Sequence, residues 1–143
     1  MTVITGFVPG KPKAQGSVSP IPYRKKTGRL GVSVFQNKDL LHWRDLIAAN
    51  VTEQTGGEVL FQKGTPVAVT LIFHVVKPKS FKGNYPVTRS SSDLDKLARA
   101  ANDAFDQANV YDDDSQIVSL HVYKIFVETE EEQGMKYLIT KLG

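Results

Sequence analysis

Cysteine is absent from this chain of 143 residues, which excludes disulfides and every thiolate metal site. Histidine is scarce. His42, His74 and His121 stand far apart, with no ligand spacing among them, so nothing supports a zinc centre. Any metal must be held by oxygen, which points to magnesium, calcium or manganese. Long apolar runs are missing, so no segment reads as membrane-spanning, and the N-terminus lacks the charged-then-apolar pattern of a secretory signal. The expectation is a cytoplasmic protein with no membrane partner. Acidic residues are missing from Met1 to Lys38, a stretch that carries Lys11, Lys13, Arg24, Lys25, Lys26, Arg29 and Lys38.

What is present is ordinary in amount and uneven in placement. Hydrophobic residues make up 41% and charged residues 23%, enough for one packed core and one domain over residues 1–143. The net charge is only +3, but a second basic stretch holds Lys77, Lys79, Lys82 and Arg89, while acids gather in Asp112-Asp113-Asp114 and from Glu128 to Glu132. Segregated positive charge suits a phosphate-rich partner. A merely solvated surface remains the alternative.

Along the chain, Thr2 to Val8 reads as a strand and Gly10 to Pro22 as a loop. Tyr23 to Phe35 reads as a hairpin turning at Lys26-Thr27-Gly28-Arg29, with Arg24, Lys25, Lys26 and Arg29 at its tip. Asn37 or Asp39 can cap a helix running to about Gln54, with Leu40, Leu41, Ile47, Ala48 and Val51 as its apolar stripe and Trp43 off its centre. Gly56-Gly57 breaks the chain. Pro66 to Val76 is a β-branched strand, and Lys77 to Ser92 a loop. Ser92 to Asn109 is a helix burying Leu94, Leu97, Ala98, Ala101, Ala104, Phe105 and Ala108. Gln116 to Val127 and Met135 to Leu142 are strands, joined by a solvated glutamate turn. The order predicts an α+β domain, two main helices on a mixed β-sheet.

Two acidic groups stand out. Asp93 and Asp95 form a D-x-D pair where a loop meets a helix, and Asp112-Asp113-Asp114 precedes a strand. A helix, a tight turn and a returning strand can carry Asp114 back beside the first helical turn, so that three carboxylates converge. Like charges so placed need a hard divalent ion. The plainer reading makes Asp93 and Asp95 acids favoured by the helix dipole, with Ser92 and Asp95 as a capping box and the aspartate run a solvated turn. Arg99, four residues after Asp95, shares its helix face; it is either an i,i+4 ion pair or a guanidinium over a phosphate. Lys96 is more exposed and placed to touch a DNA backbone.

The run Ser92-Asp93-Leu94-Asp95-Lys96-Leu97-Ala98-Arg99, then Asp103-Ala104-Phe105, then Asp112-Asp113-Asp114-Ser115-Gln116-Ile117-Val118 and the strand carrying Lys124, resembles the RusA family of Holliday junction resolvases. The family pattern is D-x-D-N-L-x-K, D-A-L and D-D-x-Q-V/I before a strand ending in lysine. Gly10-Lys11-Pro12-Lys13 and the basic hairpin match its opening more loosely. The resemblance implies a small homodimeric endonuclease, often of phage or prophage origin, acting in DNA recombination and repair. By the same resemblance Asp93, Asp95 and Asp114 are the catalytic and metal-binding acids, with magnesium or manganese as the ion, Asp113 is a weaker candidate and Asp103 a structural support. Two positions depart from the pattern: Lys96 replaces its asparagine, and Arg99 stands at its catalytic lysine. Arginine keeps the charge but cannot give up a proton, so an electrostatic role survives and a proton-transfer role does not.

The expected reaction is magnesium-dependent hydrolysis that nicks opposing strands of a four-way junction and leaves a 5′ phosphate. Lys11, Lys13, Arg24, Lys25, Lys26, Arg29, Lys77, Lys79, Lys82, Arg89 and Lys96 would grip the DNA through phosphates, which position it without reading its sequence. Two alternatives are a non-catalytic DNA-binding module and a nuclease of other branched DNA or of nucleotides.

Overall fold

A computed structural model describes residues 3–16, 19–24, 30–35 and 37–143, with 19–24 and 30–35 described at the backbone. Strand β1 (Val3–Pro9) is followed by the hairpin β2 (Ser19–Arg24) and β3 (Leu30–Phe35), helix α1 (Lys38–Thr55), β4 (Val67–Val76), helix α2 (Leu94–Gln107), β5 (Ile117–Val127) and β6 (Gly134–Lys141). Short 3-10 turns precede α2, β5 and β6. The main sheet has the order β1-β6-β4-β5. Its β1–β6 and β6–β4 pairs are antiparallel and its β4–β5 pair is parallel. The α+β arrangement read from the sequence is therefore the one found.

The parallel pair is what places α2. Two parallel strands cannot be joined by a tight turn and need a crossover; here it runs through the 77–93 loop and α2. The helix packs on the sheet with Leu97, Ala98, Ala101, Ala104 and Phe105, all buried, and its run of alanines admits α1 at close range. Beneath lie Val67, Val69, Leu71 and Phe73 of β4 and Met135, Tyr137 and Ile139 of β6. Tyr137 ties the layers together: its hydroxyl donates to Asn50 Oδ1 at 2.7 Å and accepts from Gln54 Nε2 at 2.6 Å. Gly6 leaves the room, since a Cβ there would sit 2.5 Å from that hydroxyl oxygen.

Helix α1 begins at Asn37, whose side chain accepts from Asp39 N at 2.8 Å, and ends at Gly56 with φ 71°, the left-handed cap that glycine allows. Its buried stripe differs from the one predicted. Trp43, Ile47, Ala48 and Val51 are buried, while Leu40 is only half-buried and Leu41 is exposed. Trp43 offers the largest apolar area on the helix, and turning that face inward carries Leu41 out. The hairpin starts four residues earlier than predicted, so Ser19 to Pro22 pair with Phe35 to Val32. A lone two-stranded ribbon tolerates Pro20 and Pro22, which lack the N–H that an inner strand needs. Lys25, Lys26 and Arg29 at its tip lie outside the described residues, and so does the side chain of Arg24.

Candidate active site

The three consecutive aspartates do three different things. Asp112 accepts from the backbone N–H of Lys63 at 2.6 Å and anchors the loop after α1. Asp113 caps the turn that leads into β5, accepting from Ser115 N at 2.9 Å, while its own N–H donates to Gln116 Oε1 at 2.9 Å. Gln116 is buried, and its amide reaches the carbonyls of Gln62 at 2.9 Å and Thr65 at 3.1 Å. With its neighbours committed to holding the turn, Asp114 faces an open cleft.

That cleft, of about 690 Å³, is lined by Asp95, Arg99, Asn102 and Asp103 from α2, by Asp114, and by Leu94, Ala98, Leu120 and Val122. The α2 residues form a polar stripe at helical spacing, opposite the face that Leu97, Ala101 and Phe105 bury. Asp95 and Arg99 share the cleft without forming an ion pair; the one ion pair found among the described residues joins Lys96 to Asp93 at 3.2 Å. Asn102 presents a buried Oδ1 with no hydrogen-bond partner. Asp103, half-buried, was read from the sequence as structural support and lines the cleft instead. The stripe Asp95, Arg99, Asn102, Asp103 is the signal that could have found both it and Asn102.

Acids crowd the Asp114 end. A side-chain hydrogen bond with Asp113 raises the Asp114 carboxyl above the usual carboxylate value, helped by partial desolvation and the charges of Asp113, Asp106 and Asp103. Asp113 is held lower, first by the Ser115 backbone N–H and then by Asp114. Burial drives the Tyr111 phenol far above its ordinary value, with Asp106, Asp114 and Asp103 adding to it, so Tyr111 stays protonated and donates to the Asn102 carbonyl at 3.2 Å.

Asp114 does not reach the first turn of α2. The acids that shift it, Asp103 and Asp106, belong to the second half of the helix. The reason is chain direction: β5 is entered by a short turn from the end of α2, so its base lies beside that end of the helix. The strand draws level with the start of α2 only at Lys124, whose Nζ donates to the Ser92 carbonyl at 2.7 Å. Asp95 and Asp103 are just over two turns apart, about 12 Å along the axis. Asp93 is the N-cap of α2, makes no side-chain capping bond and does not line the cleft. The predicted Ser92–Asp95 capping box is not formed: the N-cap is Asp93, and the Ser92 N–H donates to the Arg89 carbonyl at 3.0 Å. Among the described residues, no trio of Asp, Glu or His side chains is arranged to hold a metal ion.

The basic residues fall in two groups. Lys11 and Lys13 line a second cleft, of about 440 Å³, with Thr88, Ser90, Ser91 and Ser92. The backbone N–H of Gln15 donates to the Lys96 carbonyl at 3.0 Å, which moors that loop to α2. Lys79, Lys82 and Arg89 are exposed on the loop before α2, and the Lys77 ammonium lies 5.9 Å from the centre of the Phe126 ring. Lys96 is exposed beside Asp93.

By donor chemistry the main cleft fits a hard divalent ion. It offers carboxylate and amide oxygens only, one of them buried without a partner, and its acids repel one another as they stand. Asp95, Asp103 and Asp114 are the carboxylates that face it. No helix among the described residues is long and apolar enough to cross a membrane. No curated protein matches the chain. The family model described as endodeoxyribonuclease RusA matches residues 9–132, and that span takes in both acid groups, the whole acid cleft and Lys124. The chain thus belongs to the RusA endodeoxyribonuclease family, the Holliday junction resolvases.

Proposed function

We propose that this enzyme resolves four-way DNA junctions in recombination and repair, as a homodimer that nicks opposing strands by magnesium-dependent hydrolysis in the cleft between α2 and the base of β5. The observation that carries the reading is that Asp114, from the turn before β5, lines one cleft with Asp95 and Arg99 of α2. Asp95 at one end of the cleft and Asp114 with Asp103 at the other would each offer carboxylate oxygens to an ion. Asp93 would join Asp95 by releasing Lys96, since an exposed ion pair is worth only about 0–1 kcal/mol. Manganese would suit the same oxygens. When bound, a divalent ion lowers the pKa of a water and polarises the phosphoryl group.

The residues of the chain do the rest. Arg99, which forms no ion pair among the described residues, is free to donate to phosphoryl oxygens and to stabilise the charge that grows on them. Leu120 and Val122 form an apolar wall that limits water on the strand side. Lys11, Lys13, Arg24, Lys25, Lys26, Arg29, Lys77, Lys79, Lys82, Arg89 and Lys96 would hold the arms through phosphates, so that selectivity comes from junction shape. The product carries a 5′ phosphate.

A two-fold enzyme matches a quasi-two-fold junction. Its natural seam is β5, the last strand of the sheet, which exposes Val118 at 64%, Tyr123 at 52%, Leu120 at 45% and Ile125 at 43%. A long apolar edge strand invites pairing with another chain. Competition between a labelled four-way junction and linear duplex, run across a magnesium titration, tests the function. Cleavage confined to the junction and absent without a divalent ion is expected; equal cleavage of duplex, or cleavage in excess chelator, contradicts it.

A further inference from the structure

Lys124 lies in β5 opposite Phe73 and is half-buried, its ammonium directed at the loop before α2. It donates to the Ser92 carbonyl at 2.7 Å and to Ser91 Oγ at 2.9 Å. Ser91 is itself buried, and its hydroxyl lies 2.7 Å from the Thr88 carbonyl and 3.0 Å from that of Pro86. Ser92 has φ 69° and ψ 162°. That combination is one glycine enters freely and a side-chain-bearing residue does not. Such a conformation persists only where its surroundings over-determine it. Here the determinant is a charged donor from another element, set at the residue that precedes Asp93.

We propose that Lys124 is a positioning residue for cleavage: by holding the Ser92 carbonyl it locks the left-handed backbone at residue 92, and so fixes the direction in which Asp93 and Asp95 leave the start of α2. This rests on the reading of those aspartates as the catalytic acids. Lys124 does not line the acid cleft, so it acts through Ser92 and not on the phosphate. Without the ammonium, Ser92 relaxes toward the extended region open to serine, and the D-x-D pair swings with it.

The test uses Lys124→Met, Ser92→Gly, the double variant and Asp95→Asn, each measured for junction affinity without divalent ion, for cleavage rate, for magnesium midpoint and for melting temperature. Lys124→Met is expected to cleave on the order of 100-fold more slowly, as a misplacement near 1 Å does, with a raised magnesium midpoint and unchanged junction affinity. Ser92→Gly alone is the reference against which the double variant is read. In the double variant glycine adopts the conformation without help, and at least a tenfold recovery over Lys124→Met is expected. Wild-type cleavage by Lys124→Met overturns the proposal, and so does a double variant no better than Lys124→Met. Should Lys124→Met not fold, Ser91→Ala removes one Lys124 acceptor with no change of charge; it should slow cleavage in the same direction, and an unaltered rate and magnesium midpoint there overturn the proposal too. Active Asp95→Asn defeats the assignment of the acids, whereas inactive Asp95→Asn beside fully active Lys124→Met defeats this inference alone.

Discussion

Asp114 and Asp113 share a hydrogen bond between their side chains, which sets the two neighbouring carboxyls apart: Asp114 above the usual carboxylate value, Asp113 below it. The consequences for stability have opposite signs. The Asp114 contribution is present below the unfolded carboxylate value and fades as pH rises through its raised value. The Asp113 contribution is present above the unfolded value and fades as pH falls through its lowered one. The two act in separate pH windows, Asp113 below the ordinary carboxylate value and Asp114 above it, so only the Asp114 contribution changes where activity does. Proton and divalent ion compete for Asp114, and the magnesium midpoint for cleavage should therefore rise as pH falls, starting above the ordinary carboxylate range. Asp113→Asn removes the neighbouring charge and should move that rise to lower pH. A pH series of magnesium titrations decides it, and an acid limb unmoved by Asp113→Asn speaks against the coupling.

Arg99 stands in the cleft and forms no ion pair among the described residues. Arg99→Ala should lose about 10²–10³ in cleavage rate, the usual effect of deleting one charge-stabilising donor, while junction affinity changes only a few-fold. Arg99→Lys should retain much of the activity, because an electrostatic role needs the charge and not the planar fork. Single-turnover rates on a junction check both; an Arg99→Ala variant at wild-type rate removes Arg99 from the mechanism.

Gln116 is the buried clamp between the aspartate turn and the loop at 61–65. Gln116→Ala takes the side-chain donor from the Phe61 and Thr65 carbonyls and the acceptor from the Asp113 N–H, and should cost about 1–3 kcal/mol, read as a lower urea midpoint with an unchanged slope. A variant as stable as wild type contradicts the clamp.

The exposed apolar residues of β5 should carry self-association. Tyr123→Lys with Ile125→Lys replaces two side chains that are 52% and 43% exposed, so the core is spared. Sedimentation should then show a folded monomer at concentrations where wild type is dimeric, and junctions should be nicked singly. A dimeric double variant places the seam elsewhere.

Much of this was legible in the sequence, and the particular misses have physical causes. The periodicity of Leu97, Ala101, Ala104 and Phe105 declared α2 and its buried face, and Pro66 to Val76 declared β4. For α1, apolar residues on several sides leave the stripe ambiguous, and only packing against α2 and β1 turns Trp43 inward. The assignment of Asp114 from three adjacent aspartates came from a family pattern; its physical basis, Asp112 and Asp113 each spent on a backbone N–H, is tertiary and invisible locally. A residue in the short turn after α2 stays beside the end of that helix, so Asp114 does not meet its first turn. Only later residues of β5 come alongside the helix start, which brings Lys124, and not an aspartate, to Ser92. Asp103 was undervalued because its spacing from Asp95 was not set against the helical period.

The central claim is that chemistry occurs at the acids of the cleft and that junction binding does not depend on them. Asp95→Asn tests it most directly, in one preparation assayed for junction affinity and for nicking across a magnesium titration. The account predicts wild-type or tighter binding, as a negative charge is removed beside phosphate, with nicking abolished at every magnesium concentration. Nicking at the wild-type rate would contradict it.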